Sequence, residues 1–84
     1  MPAKVVIYTT DYCGYCGAAK KLLGAKGIPY EEINVSHDAE KRAWLRQTTG
    51  QYTTPQIFID DRSIGGYVDL AALEKRGKLD KLAH

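Results

Sequence analysis

Apolar residues along the chain fall into short runs separated by glycine, proline and polar clusters. Lys4 to Thr9 carries Val5-Val6-Ile7-Tyr8 without a polar break, between Pro2 and Thr10-Asp11. A continuous β-branched and aromatic run of this length predicts a buried strand. Cys16 to Lys26 places Ala18, Ala19, Leu22, Leu23 and Ala25 at helical spacing, with Gly27 after its end and Pro29 beyond. Tyr30 to Val35 alternates, with Glu31, Ile33 and Val35 on one face and Tyr30, Glu32 and Asn34 on the other, as a second strand would. Ser36 or Asp38 can cap a second helix running to about Thr48 and closed by Gly50. Leu45 is its inward residue, and Trp44 beside it is expected to be partly exposed. A third strand covers Gln56 to Asp60 and is entered through Thr54-Pro55. Asp60-Asp61-Arg62 turns the chain into a short fourth strand ending at Gly65-Gly66. Asp69 then caps a third helix through Arg76, with Leu70 and Leu73 inward and Gly77 at its end. Lys78 to Leu82 makes a last short turn.

The element order is β-α-β-α-β-β-α, which belongs to the α/β class. The alternating first half implies parallel strands joined by a right-handed crossover. The hairpin adds an antiparallel edge, giving a mixed four-stranded sheet with helices on both faces. No repeat, linker or biased segment interrupts the pattern. With 84 residues in all, residues 1–84 are expected to form a single domain.

Composition narrows this picture only modestly. Hydrophobic residues make up 44% and charged residues 26%, values ordinary for a globular chain and unlike a disordered one. No apolar run approaches the roughly 18 residues of a membrane span. The Val5–Tyr8 run is too short for a secretory leader, so a cytoplasmic protein is expected. Twelve Lys and Arg against ten Asp and Glu leave +2, a balance that argues against a nucleic-acid partner.

The cysteines change the picture most. There are two, Cys13 and Cys16, separated by Gly14-Tyr15. A bridge between them closes almost no loop, so it would constrain the unfolded chain little. They are better placed for chemistry than for stapling. Cys13 stands at the start of the first helix, where unpaired N–H groups and the helix dipole favour a thiolate. A thiolate is the form that attacks disulfides. Cys16 lies one turn further in, on the same side of the helix. Cys13 is therefore the expected attacking thiol and Cys16 the resolving one, the redox sense of a Cys-x-x-Cys beside a βαβ pattern. Two plainer alternatives stand beside this. Half of a zinc site would need four ligands, and only His37 and His84 are at hand. Two inert core cysteines are common in general, but Cys13 follows the polar Thr10-Asp11-Tyr12.

Cys13-Gly14-Tyr15-Cys16, then Thr53-Thr54-Pro55, then Gly65-Gly66 with Asp69, resembles the glutaredoxins, in register over essentially the whole chain. The resemblance implies the thioredoxin fold and a glutathione-dependent thiol-disulfide oxidoreductase. Its expected co-substrate is glutathione, and its partners are glutathionylated or disulfide-bonded proteins. Pro55 would be a cis proline facing the cysteines, with the Thr53-Thr54 backbone open to the peptide part of glutathione. Gly66 and the N–H groups of Tyr67, Val68 and Asp69 would hold its γ-glutamyl end, and Asp69 would meet the ammonium. Arg42 occupies the position for the glycyl carboxylate, with Gln51 near the same end. Tyr15 would shield the thiol pair or pack on the ligand, and Tyr12, Tyr52 and Tyr67 are further rim residues.

Three departures from the common family pattern stand out. Gly14 replaces a frequent proline. Some glutaredoxins with a small residue there hold a [2Fe–2S] cluster between two subunits, through the residue matching Cys13 and two glutathiones. That gives a second reading: an iron–sulfur carrier or sensor, dimeric only when loaded and otherwise monomeric. Thr10 replaces a frequent lysine, which implies a weaker electrostatic lowering of the Cys13 pKa. Thr54 replaces a frequent valine and is expected to contribute mainly its backbone. A thioredoxin-like reductant served by a reductase is the third reading, and Arg42 and Gly65-Gly66 with Asp69 speak against it. No role attaches to His37 or Trp44.

Overall fold

The computed structural model describes residues 4–51 and 53–79. Their elements are β1 (Val5–Thr9), α1 (Gly14–Ala25), β2 (Glu31–Asn34), α2 (Ala39–Thr49), β3 (Gln56–Ile59), β4 (Arg62–Gly65) and α3 (Tyr67–Lys75). The expected order holds, with ends shifted by at most three residues.

The four strands form one mixed sheet in the order β2-β1-β3-β4. β1 runs parallel to β2, with Tyr8 opposite Ile33, and antiparallel to β3, with Ile7 opposite Ile57. β3 and β4 form the antiparallel hairpin. Asp60 and Asp61 make its turn at positive φ, 50° and 68°, a conformation that Asp tolerates better than most residues.

The unbroken apolar run of β1 is explained by burial on both faces. Val5 and Ile7 pack with Ala19, Leu23, Ile57 and Leu70, a layer that includes α1 and α3. Val6 and Tyr8 pack with Val35, Leu45 and Phe58 in the layer that includes α2. Ile33 joins that second layer, as its place in the alternation of β2 requires. Trp44 is 42% exposed, and its ring lies 5.7 Å from those of Tyr8 and Phe58. Its role is thus the packing of α2 on the sheet. Burial, then the charges of Glu31 and Asp61, push the Tyr8 phenol up. Leu79 is fully buried; residues 80–82 of the expected last turn, with Tyr52 and His84, lie outside the described residues.

Two helix starts differ from expectation. α1 begins at Gly14, ahead of Cys16, because the Cys13 side chain caps it. α3 begins at Tyr67, so Asp69 is not its N-cap. Gly66 takes that place, and Asp69, three residues on, accepts from the Gly66 N–H at 3.0 Å. A carboxylate in the first turn reaching back to the capping residue satisfies a donor that the helix itself cannot.

Candidate active site

The site lies where the end of β1, the start of α1, the segment before β3 and the start of α3 meet. Cys13 and Cys16 are joined as a disulfide with Cα atoms 5.2 Å apart. Their surroundings differ. Cys16 is 2% exposed, whereas Cys13 is half-buried and keeps a face to solvent. Cys13 Sγ accepts from the Cys16 N–H at 3.1 Å, so the nucleophile candidate is itself the helix cap. The first-turn N–H groups and the dipole point at this sulfur. The loop before it is pinned at Asp11. Its N–H donates to Ser36 Oγ at 2.6 Å, and its carboxylate accepts from Asn34 Nδ2 at 3.0 Å. His37 Nε2 lies 3.5 Å from the same carboxylate on an exposed surface.

Across from Cys13, the Thr54–Pro55 peptide bond is cis and Pro55 is fully buried. Cys13 Sγ sits 3.5 Å from the Thr54 carbonyl oxygen and 3.5 Å from its hydroxyl. The Thr54 hydroxyl in turn lies 2.9 Å from that of Thr10. The sequence implies a mainly backbone role for Thr54, and these hydroxyl contacts add to it.

Two grooves share Thr53 and Thr54 as lining. One is bordered by Tyr15, Pro55, Tyr67 and Val68. The Tyr15 and Tyr67 rings stand 6.1 Å apart on its rim, and Val68 is strongly exposed. Tyr12 points fully into solvent and does not border it. The other groove is bordered by Thr10, Arg42, Arg46, Gln51 and Gln56. Arg42 and Gln51 therefore fall together, as expected, although nine residues apart in the chain. Two neighbours were not anticipated. Arg46 follows Arg42 by four residues on α2 and shares its face, a signal legible in the spacing. Buried Gln56 donates from Nε2 to both Gln51 Oε1 and the Thr53 carbonyl at 2.9 Å, which holds that strand segment in place.

The chain turns at Gly65, φ 104°, where a Cβ would run into the Asp69 carboxylate. At Gly66 a Cβ would stand 3.2 Å from the Pro55 carbonyl. These two glycines let α3 start hard against the proline segment. The N–H groups of Tyr67, Val68 and Asp69 precede the first intrahelical bond, Leu70 N–H to Gly66 O at 3.1 Å. Such a helix start receives carboxylates well. Asp69 already spends one carboxylate oxygen on Gly66. Among the described residues no cluster of three or more His, Cys, Asp or Glu could hold a metal ion. No described helix is long and apolar enough to cross a membrane.

Comparison with known proteins agrees with this geometry. The glutaredoxin family model matches residues 5–64. Glutaredoxin 3 of Escherichia coli (strain K12) is 48% identical over 80 residues, covering 95% of this chain and 96% of that protein. A glutaredoxin of Pseudomonas aeruginosa is 50% identical over 78 residues, covering 93% of each. Among solved structures, the buckwheat glutaredoxin–glutathione complex superposes with a TM-score of 0.87 at 33% identity, over 96% of this chain and 76% of that one. Glutaredoxin from Brucella melitensis superposes with 0.85 at 44% identity, over 99% and 94%.

Proposed function

The chain belongs to the glutaredoxin family of thiol-disulfide oxidoreductases, and from that premise we propose that it works with glutathione, reducing protein–glutathione mixed disulfides and protein disulfides. The observation that carries this is the strip formed by Thr53, Thr54 and Pro55 beside Cys13, with Arg42 and Gln51 on one groove and the start of α3 on the other. An extended peptide with a carboxylate at each end matches such a strip. The glycyl carboxylate meets Arg42, which can grip it with two hydrogen bonds. Gln51, whose Oε1 is taken by Gln56, offers its Nε2 donors. The γ-glutamyl carboxylate meets the N–H groups that open α3, and its ammonium meets Asp69. The peptide backbone pairs with Thr54 as an added strand. The buckwheat neighbour, a complex with glutathione, supports the same assignment.

In the proposed reaction the Cys13 thiolate attacks the glutathione sulfur of a mixed disulfide. A new S–S bond joins Cys13 to glutathione, the old one breaks, and the substrate leaves as thiolate. A second glutathione thiolate then attacks the glutathione sulfur held on Cys13, releasing oxidised glutathione and the free Cys13 thiolate. Alternatively Cys16 attacks Cys13 Sγ and glutathione leaves, giving the disulfide seen here. Protein disulfides require both cysteines. A reducing, cytoplasmic setting completes the proposal. The test is reduction of a glutathionylated peptide: Cys13→Ser is expected to abolish turnover and Cys16→Ser to retain it. Full activity in Cys13→Ser would overturn the assignment. Turnover with a thioredoxin reductase and none with glutathione would favour the thioredoxin-like reading instead.

The iron–sulfur reading draws on one observation, the open space beside Gly14. A [2Fe–2S] cluster takes four thiolates. With Cys16 buried, each of two chains would offer Cys13 and two glutathiones would complete the set. The absorption spectrum of protein isolated without oxygen decides this directly.

A further inference from the structure

Three side-chain atoms stand in sequence at the edge of the disulfide. Thr10 Oγ1 lies 2.9 Å from Thr54 Oγ1, which lies 3.5 Å from Cys13 Sγ. A threonine hydroxyl has one proton to give and two lone pairs to accept with. If Thr54 aims its proton at the sulfur, the contact with Thr10 can be filled only by the Thr10 proton. The donors then run one way, from Thr10 to Thr54 to Cys13. Both residues sit on firm supports. Thr10 directly follows the buried central strand β1, and Thr54 directly precedes the fully buried Pro55. We propose that Thr54 is a positioning residue that donates to the Cys13 thiolate, and that Thr10 acts through it by fixing the direction of its hydroxyl.

The consequence follows from what the sulfur is in each state. A disulfide sulfur is a weak acceptor, while a thiolate is ionised, and hydrogen bonds to ionised groups are roughly twice as strong as neutral ones. The Thr54 bond therefore favours the thiolate over both the thiol and the disulfide. The first preference lowers the Cys13 pKa. The second stabilises the reduced protein and makes it a stronger oxidant. One donor polarising the next strengthens the pair. The Cys16 N–H already caps the same sulfur at 3.1 Å. The hydroxyl pair adds a donor from the opposite loop, at the point where this chain has Thr10 and no lysine.

This inference rests on Cys13 being the attacking thiol, as proposed above. It is tested in the full chain carrying Cys16→Ser, with iodoacetamide alkylation rates followed against pH, a readout that needs no glutathione. Thr54→Val removes the hydroxyl and keeps the shape. It is expected to raise the Cys13 pKa by about one unit, a tenfold loss of thiolate below the pKa. Thr54→Ser should restore the parent titration. Thr10→Val should raise the pKa by less, and should add nothing in the Thr54→Val background. With both cysteines present, Thr54→Val should move the potential to more negative values by about 30 mV, the equivalent of tenfold for a two-electron couple. Thr54→Ala serves if Thr54→Val does not fold. An unchanged pKa in the hydroxyl-free variants overturns the proposal, and so does full additivity of the Thr10 and Thr54 effects. If Cys13→Ser loses activity while Thr54→Val leaves the pKa in place, the hydroxyl relay alone has failed. If Cys13→Ser stays active, the functional reading has failed.

Discussion

Cys13 and Cys16 carry the same side chain, and their backbones make them unequal. Cys13 stands outside the first helical turn with its sulfur aimed at the turn's N–H groups, while Cys16 is closed into the layer beneath. That inequality was readable from two cysteines at the start of an apolar helical pattern. The hydroxyl contacts of Thr54 were not, because its partners lie 41 and 44 residues away in the chain. Arg42 has the opposite character: exposed, on a solvated helix face, and defined only by what it is proposed to bind. Arg42→Ala is expected to leave stability nearly unchanged, since exposed charges contribute little. It should raise KM for a glutathionylated peptide about tenfold, the loss of roughly 1.4 kcal/mol of binding, with kcat nearly constant. Steady-state kinetics check this, and a fall in kcat at constant KM would contradict it.

Glu32 shows how an element is tied to its neighbours. It sits on β2, opposite Ile7 on the central strand, and accepts from the Thr9 hydroxyl at 2.8 Å. It also pairs with Lys20 of α1 at 3.1 Å. The Thr9 hydrogen bond first, with burial opposing it and Lys20 assisting, holds its carboxyl below the usual 4.5. The unfolded chain then binds more protons than the folded one between the two values, so stability rises with pH there. The contribution is complete above the unfolded value and is lost as pH falls through the lower folded one. Glu32→Ala should cost about 1 kcal/mol at neutral pH, given the partial exposure of the pair. The difference should shrink at about pH 3. Urea unfolding at both pH values measures it, and a difference independent of pH would refute the tie. Element types were legible throughout, but the start of α3 was not. Asp69 has the chemistry of an N-cap, and only the folded turn at Gly65-Gly66 moves it to the third helical position.

The whole molecule depends on β1, which is apolar on both sides and has helices packed over each. Leu23 of α1 is fully buried against it. Leu23→Ala should cost about 2–5 kcal/mol through lost burial and the cavity left behind. For a chain of this size that lowers Tm by more than about 10 °C. Thermal unfolding followed by circular dichroism checks the value, and a shift of a degree or two would mean that the layer repacks. Periodicity carries this architecture because burial is a local requirement: a strand covered on both faces must be continuously apolar, and one at an edge must alternate. By itself, then, the sequence determined the order and kind of the elements, the place of Cys13 at the start of the first helix, and the family through Cys13–Cys16, Thr53–Pro55 and Gly65–Gly66. Folding alone decided that Thr10, Thr54 and Cys13 meet, that Arg46 and Gln56 border the groove of Arg42 and Gln51, and that α3 starts against Pro55. The Arg42–Arg46 face of α2 is local, but its approach to Gln51 and Gln56, like the other contacts, is set by how the strands register and the helices settle on the sheet, which no local pattern encodes.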